Sequence, residues 1–229
     1  MVYRLFIANK NYSSWSMRPW VLLRALDLPF EEVMTPFEGD GQQSAFAAFS
    51  PTAKVPCLHD EAVVVWESLA IVEYLAEAHP SVWPAASAAR AWARCASAEM
   101  HAGFAALRDE CSMNCSLSID LGAPSAALGK DLARLDALWQ EGLDTFGGPW
   151  LAGDAFTAVD AMFAPVAVRI RGYGIELGTA AMAYTERLLA HPAVTEWIEQ
   201  GIAEPWIDGP HEADCIRGRR VRADRRKPA

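Results

Sequence analysis

Residues 53–75 read AKVPCLHDEAVVVWESLAIVEYL, a segment with two short apolar runs followed by the start of a helix. The runs at 55–59 and 63–66 have the length and apolar character of two strands joined by a tight turn. Glu67 and Ser68 then precede apolar residues at helical spacing. The segment therefore predicts a β-β-α unit.

The preceding residues extend this unit to a full domain. Residues 2–8 predict a buried strand, residues 14–28 a helix and residues 30–35 a second strand, and a short helix is expected near 43–49. A β-α-β unit favours parallel pairing with a right-handed crossover. The order β-α-β-α-β-β-α is the thioredoxin-like arrangement, an α/β fold in three layers with a mixed sheet.

The remainder of the chain has a different character. Residues 79–89 are rich in Pro, Ala and Ser and predict a linker. Residues 90–210 contain helical runs and no convincing strand, which predicts an all-α second domain. We expect a thioredoxin-like domain at 1–80, a helical domain at 90–210 and an irregular basic tail at 211–229.

Charge is distributed unevenly along the 229 residues, whose net charge is −9. Residues 217–227 hold seven basic side chains and one acid, so without this +6 the rest of the chain carries −15. An acidic body repels nucleic acid, and only the tail offers a surface for it. We therefore expect no nucleic-acid partner.

The sequence also argues against a membrane protein, a disulfide-linked protein and a metal-binding protein. Apolar stretches fall far short of the roughly 18–20 residues that span a bilayer, and the N-terminus lacks the pattern of a signal peptide, so we expect a cytoplasmic protein with no membrane partner. Five cysteines, an odd number, argue against a disulfide framework. The spacing of Cys111 and Cys115 fits a helical turn better than a metal pair, so no metal is expected.

Pro56 and the pair Glu67–Ser68 each have a structural and a functional explanation. Pro56 interrupts a predicted strand, either as an edge position or in a cis Val55–Pro56 bond that presents the Val55 N–H and C=O to an extended peptide. Glu67 and Ser68 form either an ordinary helix cap or an anchor for an amino acid, whose carboxylate binds Ser68 and whose ammonium binds Glu67.

The serines at 13, 14 and 16 have the same ambiguity at the first helix. Serine is a favoured helix cap. A serine hydroxyl facing a pocket also stabilises a bound thiolate, and a hydrogen bond to a charged group is worth about 1.5 to 3 kcal/mol. This is enough to lower a thiol pKa of about 8.5 by one or two units.

Taken together, these motifs resemble those of the cytosolic glutathione transferases. The resemblance rests on SSWSMR (13–18), AKVPCL (53–58) and ESLAIVEYL (67–75), the last two forming the glutathione-binding block of that family. LAGD (151–154) followed by FTAVD (156–160) looks like the family's buried N-capping box, so Asp160 is assigned to structure. The resemblance covers residues 3–205 and omits the tail.

The resemblance implies a glutathione S-transferase that takes glutathione as cosubstrate and detoxifies a small hydrophobic electrophile. Ser14, or alternatively Ser13, would hold the thiolate, with Ser14 slightly preferred. Glutathione would bind Val55, beside a cis Pro56, and the pair Glu67–Ser68, and Lys54 would meet its glycyl carboxylate. The substrate pocket would be formed by Trp15, Phe104, Met113 and Arg171, although helical core packing explains the first three equally well. The family also implies a homodimer.

The nearest class by motif is the zeta class, which includes maleylacetoacetate isomerases. This chain has Trp15 where that class carries a cysteine, and Glu67 where it usually has glutamine. Arg171 lies near the position of an arginine that binds acidic substrates in that class. An isomerase and a non-catalytic glutathione-binding protein are therefore the alternative functions.

Overall fold

The computed structural model describes residues 2–39 and 44–226. The first domain contains a four-stranded sheet and two α-helices, with short 3₁₀ helices at Ser44–Ala48 and Pro80–Val82. In chain order its elements are β1 (Tyr3–Ile7), α1 (Ser14–Ala25), β2 (Phe30–Met34), β3 (Cys57–Asp60), β4 (Val63–Trp66) and α2 (Ser68–Ala78). The helix expected near 43–49 is the first of the 3₁₀ helices, and position 43 lies outside the described residues.

The sheet has the order β2-β1-β3-β4, in which β1 and β2 are parallel and the other pairs antiparallel. Helix α1 is the crossover between the two parallel strands, as the β-α-β pattern predicts. Fully buried side chains on β1, such as Leu5 and Ile7, pack in one core with Leu58 and with Ile71 of α2. The predicted thioredoxin-like fold with a mixed sheet is confirmed.

The second domain is mainly helical, as predicted, but residues 90–210 also contain one short strand, β5 (Leu117–Ile119), which the all-α prediction missed. Its helices are α3 (Ser87–Ala102), α4 (Ala105–Glu110), α5 (Ala126–Phe146), α6 (Ala158–Tyr173), α7 (Thr179–Ala190), α8 (Pro192–Ala203) and α9 (Gly209–Ile216). Helix α6 is almost wholly buried and packs against α1, α3 and α7, so it joins the two domains.

A capping box begins α6, which confirms the structural assignment of Asp160. The Asp160 carboxylate accepts the N–H groups of Thr157 at 2.9 Å and Leu151 at 3.1 Å, and the Tyr184 hydroxyl at 2.9 Å. Burial raises the pKa of Asp160 to about 6 despite these donors. The side chain therefore closes a polar network within the core and lies away from both clefts described below.

The expectation of an irregular tail at 211–229 is wrong for residues 211–226. Helix α9 is followed by strand β6 (Val221–Asp224), which pairs antiparallel with β5 (Leu117–Ile119) and adds a small ribbon to the helical domain. Residues 227–229 lie outside the described part. We call residues 208–226 the C-terminal clamp.

Arginine side chains explain why the clamp is ordered. Arg217 binds Asp109 at 3.1 Å and Asp214 at 2.5 Å, and Arg226 joins Glu212 at 3.0 Å to Asp224 at 2.9 Å. Three further arginines of the clamp donate to backbone carbonyls of the helical domain, namely Arg219 to Glu110, Arg222 to Ile119 and Arg225 to Cys115. The basic side chains of the tail that was predicted to be irregular instead supply contacts that fix the clamp to an acidic body.

Two further features of the described residues concern membrane-spanning helices and cysteines. Their helices include none with the length and apolar content needed to cross a membrane. All five cysteines are free thiols, four of them buried.

Candidate functional site

A cleft of about 420 Å³ lies where the loop after β1 meets the helical domain and the clamp. Its walls come from sequence-distant segments: the start of α1, the loop before β3, helices α4 and α6, and helix α9. The lining residues are Tyr12, Ser13, Ser14, Trp15, Phe37, Phe46, Ala53, Lys54, Val55, Arg108, Ser112, Met113, Arg169, His211 and Asp214. Six residues predicted from the sequence to bind or act therefore line one cleft, namely Ser13, Ser14, Trp15, Lys54, Val55 and Met113.

Ser13 and Ser14 both line the cleft but differ in their hydrogen bonds. Ser13 is the N-cap residue of α1, yet its side chain does not cap the helix and donates instead to the Ser16 hydroxyl at 2.8 Å. Ser14, the first residue of α1, accepts a hydrogen bond from Nη2 of Arg169 at 3.2 Å. Because the Ser14 oxygen is the acceptor in this pair, its own O–H stays available to a ligand.

Arg169 is a site residue that the sequence reasoning missed. Its guanidinium is buried and also donates to the Cys111 carbonyl at 2.8 Å and the Pro165 carbonyl at 3.2 Å. Burial lowers the pKa of Arg169 to about 10, so the side chain is still charged at neutral pH. The predicted pocket residue Arg171 is exposed and lines neither cleft, because two positions along a helix rotate a side chain by about 200°.

Two more arginines lie beside Trp15. The Arg18 guanidinium lies 4.1 Å from the Trp15 ring centre and the Arg108 guanidinium 5.5 Å from it. Arg18 is buried and donates to the Ser68 hydroxyl at 3.3 Å, while burial and the charges of Arg169 and Arg108 lower its pKa to about 9. The region behind the cleft is therefore cationic in a protein that is acidic overall.

A narrower cleft of about 180 Å³ adjoins the first and shares Trp15, Lys54 and Val55 with it. Thr52, Pro56 and Glu67 complete its lining. The Val55–Pro56 bond is cis, as the resemblance implies. Among the residues that the structure describes, the Val55 N–H and C=O have no hydrogen-bond partner, so both are free for the backbone of a ligand.

Glu67 and Ser68 stand at the start of α2 without acting as an ordinary cap. Glu67 is the N-cap residue, makes no side-chain cap and has φ 70° and ψ 128°, a conformation that non-glycine residues rarely adopt. Strained backbone of this kind costs about 1–3 kcal/mol and clusters at functional sites. Ser68 is the first residue of α2, so its N–H lies at the positive end of the helix dipole. Its side chain is fully buried, lines neither cleft and accepts the Arg18 hydrogen bond.

The other predicted pocket residues separate into two groups. Trp15 and Met113 line the main cleft. Phe104 is buried in the core with φ 53° at the junction of α3 and α4 and lines neither cleft, so core packing is the better explanation for it.

The clamp contributes two residues that the sequence reasoning did not select. Asp214 lines the main cleft but is held by Ser112 and Arg217. His211 also lines it, and Nδ1 of its ring lies 2.5 Å from the Asp208 carboxylate. An aspartate at a helix start with a histidine three residues later was the available signal, but it lies beyond the region of family resemblance.

Metal-ligating side chains do not form a cluster in the described ranges. Within residues 2–39 and 44–226, no group of three or more His, Cys, Asp or Glu side chains is arranged to hold a metal ion.

Comparisons with known proteins agree with this geometry. Residues 12–78 match the family model of the glutathione S-transferase N-terminal domain. Glutathione S-transferase GstB of Escherichia coli (strain K12) is 26% identical over 219 residues, covering 87% of this chain and 93% of that protein. A probable maleylacetoacetate isomerase of Caenorhabditis elegans is 28% identical over 177 residues, covering 73% and 78% respectively.

The fold comparison leads to the same class. The crystal structure of a glutathione transferase homologue from Burkholderia gl BGR1 with bound glutathione superposes with a TM-score of 0.68 at 24% identity, covering 89% of this chain and all of the other. Residues 12–78 therefore form a glutathione S-transferase N-terminal domain, and the chain has the fold of the glutathione transferases.

Proposed function

We propose that this protein binds glutathione across the two clefts and uses the Ser14 hydroxyl to hold its thiolate for attack on a small electrophile. The observation that carries the proposal is the position of Ser14, at the start of α1 with its oxygen bonded to buried Arg169 and in the same cleft as Val55. Glutathione then spans the two clefts, with sulfur at the helix end and backbone along Val55.

The contact with Arg169 makes Ser14 the better thiolate partner. A cation bonded to the hydroxyl oxygen draws electron density from the O–H and strengthens the bond that this O–H donates. The Ser13 proton is engaged with Ser16. A hydrogen bond to the thiolate contributes about 1.5 to 3 kcal/mol, which raises the thiolate fraction at neutral pH from a few per cent to between about a quarter and three quarters.

The ends of glutathione find partners of opposite charge. Glu67, which lines the narrower cleft, accepts the γ-glutamyl ammonium. The adjoining carboxylate lies at the start of α2, where the helix dipole and buried Arg18, bonded to Ser68, supply positive potential. Lys54 is exposed, lines both clefts and meets the glycyl carboxylate. Local cations thus hold an anionic tripeptide although the body of the protein is acidic.

Trp15 and Met113, together with Phe37 and Phe46, supply an apolar wall for the electrophile. Neither Phe104 nor Arg171 is retained in this role. The thiolate attacks the electrophilic carbon and forms a carbon–sulfur bond, while the leaving group, such as chloride from an aryl chloride, departs with its electron pair. Arg108 and Arg169 stabilise negative charge near the sulfur.

The isomerase alternative has one observation in its favour. Arg108 and Arg169 both line the main cleft, and paired guanidiniums suit the carboxylates of an acidic enone. The similarity to a probable maleylacetoacetate isomerase supports this alternative. Conversion of maleylacetoacetate at a rate above that of aryl halide conjugation would make isomerisation the main activity.

Serine variants test the proposal against a non-catalytic role. Ser14→Ala, Ser13→Ala and the double variant are compared for glutathione affinity by calorimetry and for conjugation to chlorodinitrobenzene. Ser14→Ala should lower the conjugation rate by about 10-fold or more with little loss of affinity, and Ser13→Ala by less. Binding without turnover in the unmodified protein, or equal rates in all four proteins, would contradict the serine mechanism.

A homodimer in the cytoplasm is part of the same proposal. Strand β4 lies at the edge of the sheet and exposes Val63 and Trp66. Exposed apolar side chains on an edge strand suit a subunit contact. Sedimentation of the unmodified chain as a dimer, and of Trp66→Glu as a monomer, is the expected result.

A further inference from the structure

His211 of the C-terminal clamp is held in a defined orientation on the wall of the main cleft. Its ring stacks on Phe37 at 4.4 Å between ring centres and on Tyr12 at 5.3 Å. Nδ1 lies 2.5 Å from Oδ2 of Asp208, a nearly buried carboxylate that also accepts the His211 backbone N–H at 3.1 Å. Two rings and one carboxylate therefore fix both the plane and the rotation of the imidazole.

This arrangement determines which nitrogen faces outward. Since the Asp208 carboxylate accepts the hydrogen bond, Nδ1 keeps its proton and Nε2 is the nitrogen that exchanges one. Nε2 has no hydrogen-bond partner among residues 2–39 and 44–226, and the side chain is 36% exposed.

Neighbouring charged groups are occupied elsewhere. The Tyr12 hydroxyl donates to Glu212 at 2.8 Å, and Glu212 also binds Arg226. Asp214 is bonded to Ser112 and Arg217. Among the described side chains, Asp208 is thus the carboxylate paired with the His211 ring.

We propose that His211 is a general acid for electrophiles whose attack by the thiolate leaves negative charge on oxygen, and that Asp208 positions it. This inference rests on the proposed function, because it uses the same bound thiolate. With an epoxide, the carbon–sulfur bond forms as the carbon–oxygen bond breaks, and the electron pair goes to oxygen. The His211 imidazolium gives its Nε2 proton to that oxygen, and water returns a proton to Nε2 afterwards.

The proposal separates two classes of substrate. Epoxides and α,β-unsaturated ketones need a proton at the product oxygen, whereas an aryl chloride releases chloride and needs none. The clamp that carries His211 lies outside the family resemblance, and its arginine contacts hold the ring in the cleft. The clamp therefore shifts the activity of this protein towards oxygen-bearing electrophiles.

Paired kinetics test this proposal. The kcat/KM values for glutathione conjugation of styrene oxide, benzylideneacetone and chlorodinitrobenzene are measured for the unmodified protein, His211→Gln and Asp208→Asn. His191→Gln is the matched control, because His191 also stacks on a phenylalanine at 4.4 Å but lies away from the cleft. His211→Gln should lower kcat/KM for styrene oxide and benzylideneacetone about 100-fold more than for chlorodinitrobenzene, and Asp208→Asn should change the ratio in the same direction.

Each other outcome is decisive. Equal losses with all three substrates would overturn the proposal by showing that His211 has a structural role only, and rates unchanged with all three would overturn it as well. Conjugation of chlorodinitrobenzene alone by the unmodified protein would overturn it as well. Absence of conjugation with all three substrates would instead contradict the proposed transferase function on which it rests.

Discussion

Arg169 provides the most quantitative prediction. Its Nη2 lies 3.2 Å from the Ser14 oxygen, so a thiolate bonded to that hydroxyl lies about 6 Å from the positive charge. At an effective dielectric constant of about 20, a unit charge at this distance stabilises the thiolate by about 3 kcal/mol. We therefore predict that Arg169→Met raises the thiol pKa of bound glutathione by up to about two units.

The assay is a pH titration of the ultraviolet absorbance of the bound thiolate. Arg171→Met is the matched control, since it removes an exposed arginine from the same helix, two residues further along. Arg169→Lys separates charge from packing, because it keeps the cation but cannot reproduce all three hydrogen bonds.

An unchanged thiol pKa in a folded Arg169→Met protein would refute the electrostatic reasoning. An equal shift in Arg171→Met would refute it too, because a general change in protein charge would then explain the result. Calorimetric unfolding of each variant shows whether the protein is folded when the titration is made.

Three further predictions concern stability. Asp160→Ala leaves two backbone N–H groups and the Tyr184 hydroxyl without their acceptor, so it should lower the unfolding free energy by about 3 kcal/mol or more in urea titrations. Arg226→Gln removes the cation bonded to the mostly buried carboxylate of Glu212 and should lower it by about 2 kcal/mol, whereas Arg220→Gln, at an exposed position, should change it by less than about 0.5 kcal/mol. Burial lowers the pKa of His191 below its usual 6.5, so the unfolded chain binds its proton more readily and acidification below about pH 6.5 destabilises the fold; His191→Gln should flatten that pH dependence.

Local sequence patterns predicted the elements of the first domain that border the two clefts. The β-α-β order, the position of Pro56 and the pair Glu67–Ser68 are read from neighbouring residues, because strand and helix periods act over short distances. The capping box at Asp160 is equally local. These predictions depend on the backbone, and the structure places them as expected.

Contacts between distant segments were not predictable in the same way. Arg169 and Arg171 are both basic residues in an apolar helix, and only the packing of α6 against α1 determines which of them meets Ser14. The clamp was predicted to be irregular because its composition is polar and basic, yet the carboxylates that order it are as far away as Asp109. His211 lines the cleft from the same clamp, where it contacts Phe37 and Tyr12 from distant parts of the chain.

The position of the sulfur atom tests the central claim most directly. A crystal structure of this protein with glutathione should place the sulfur within about 3.5 Å of the Ser14 hydroxyl oxygen and farther from that of Ser13, with the cysteinyl backbone paired to Val55. Sulfur bonded to Ser13 or to neither serine, or glutathione bound away from Val55, would contradict the account.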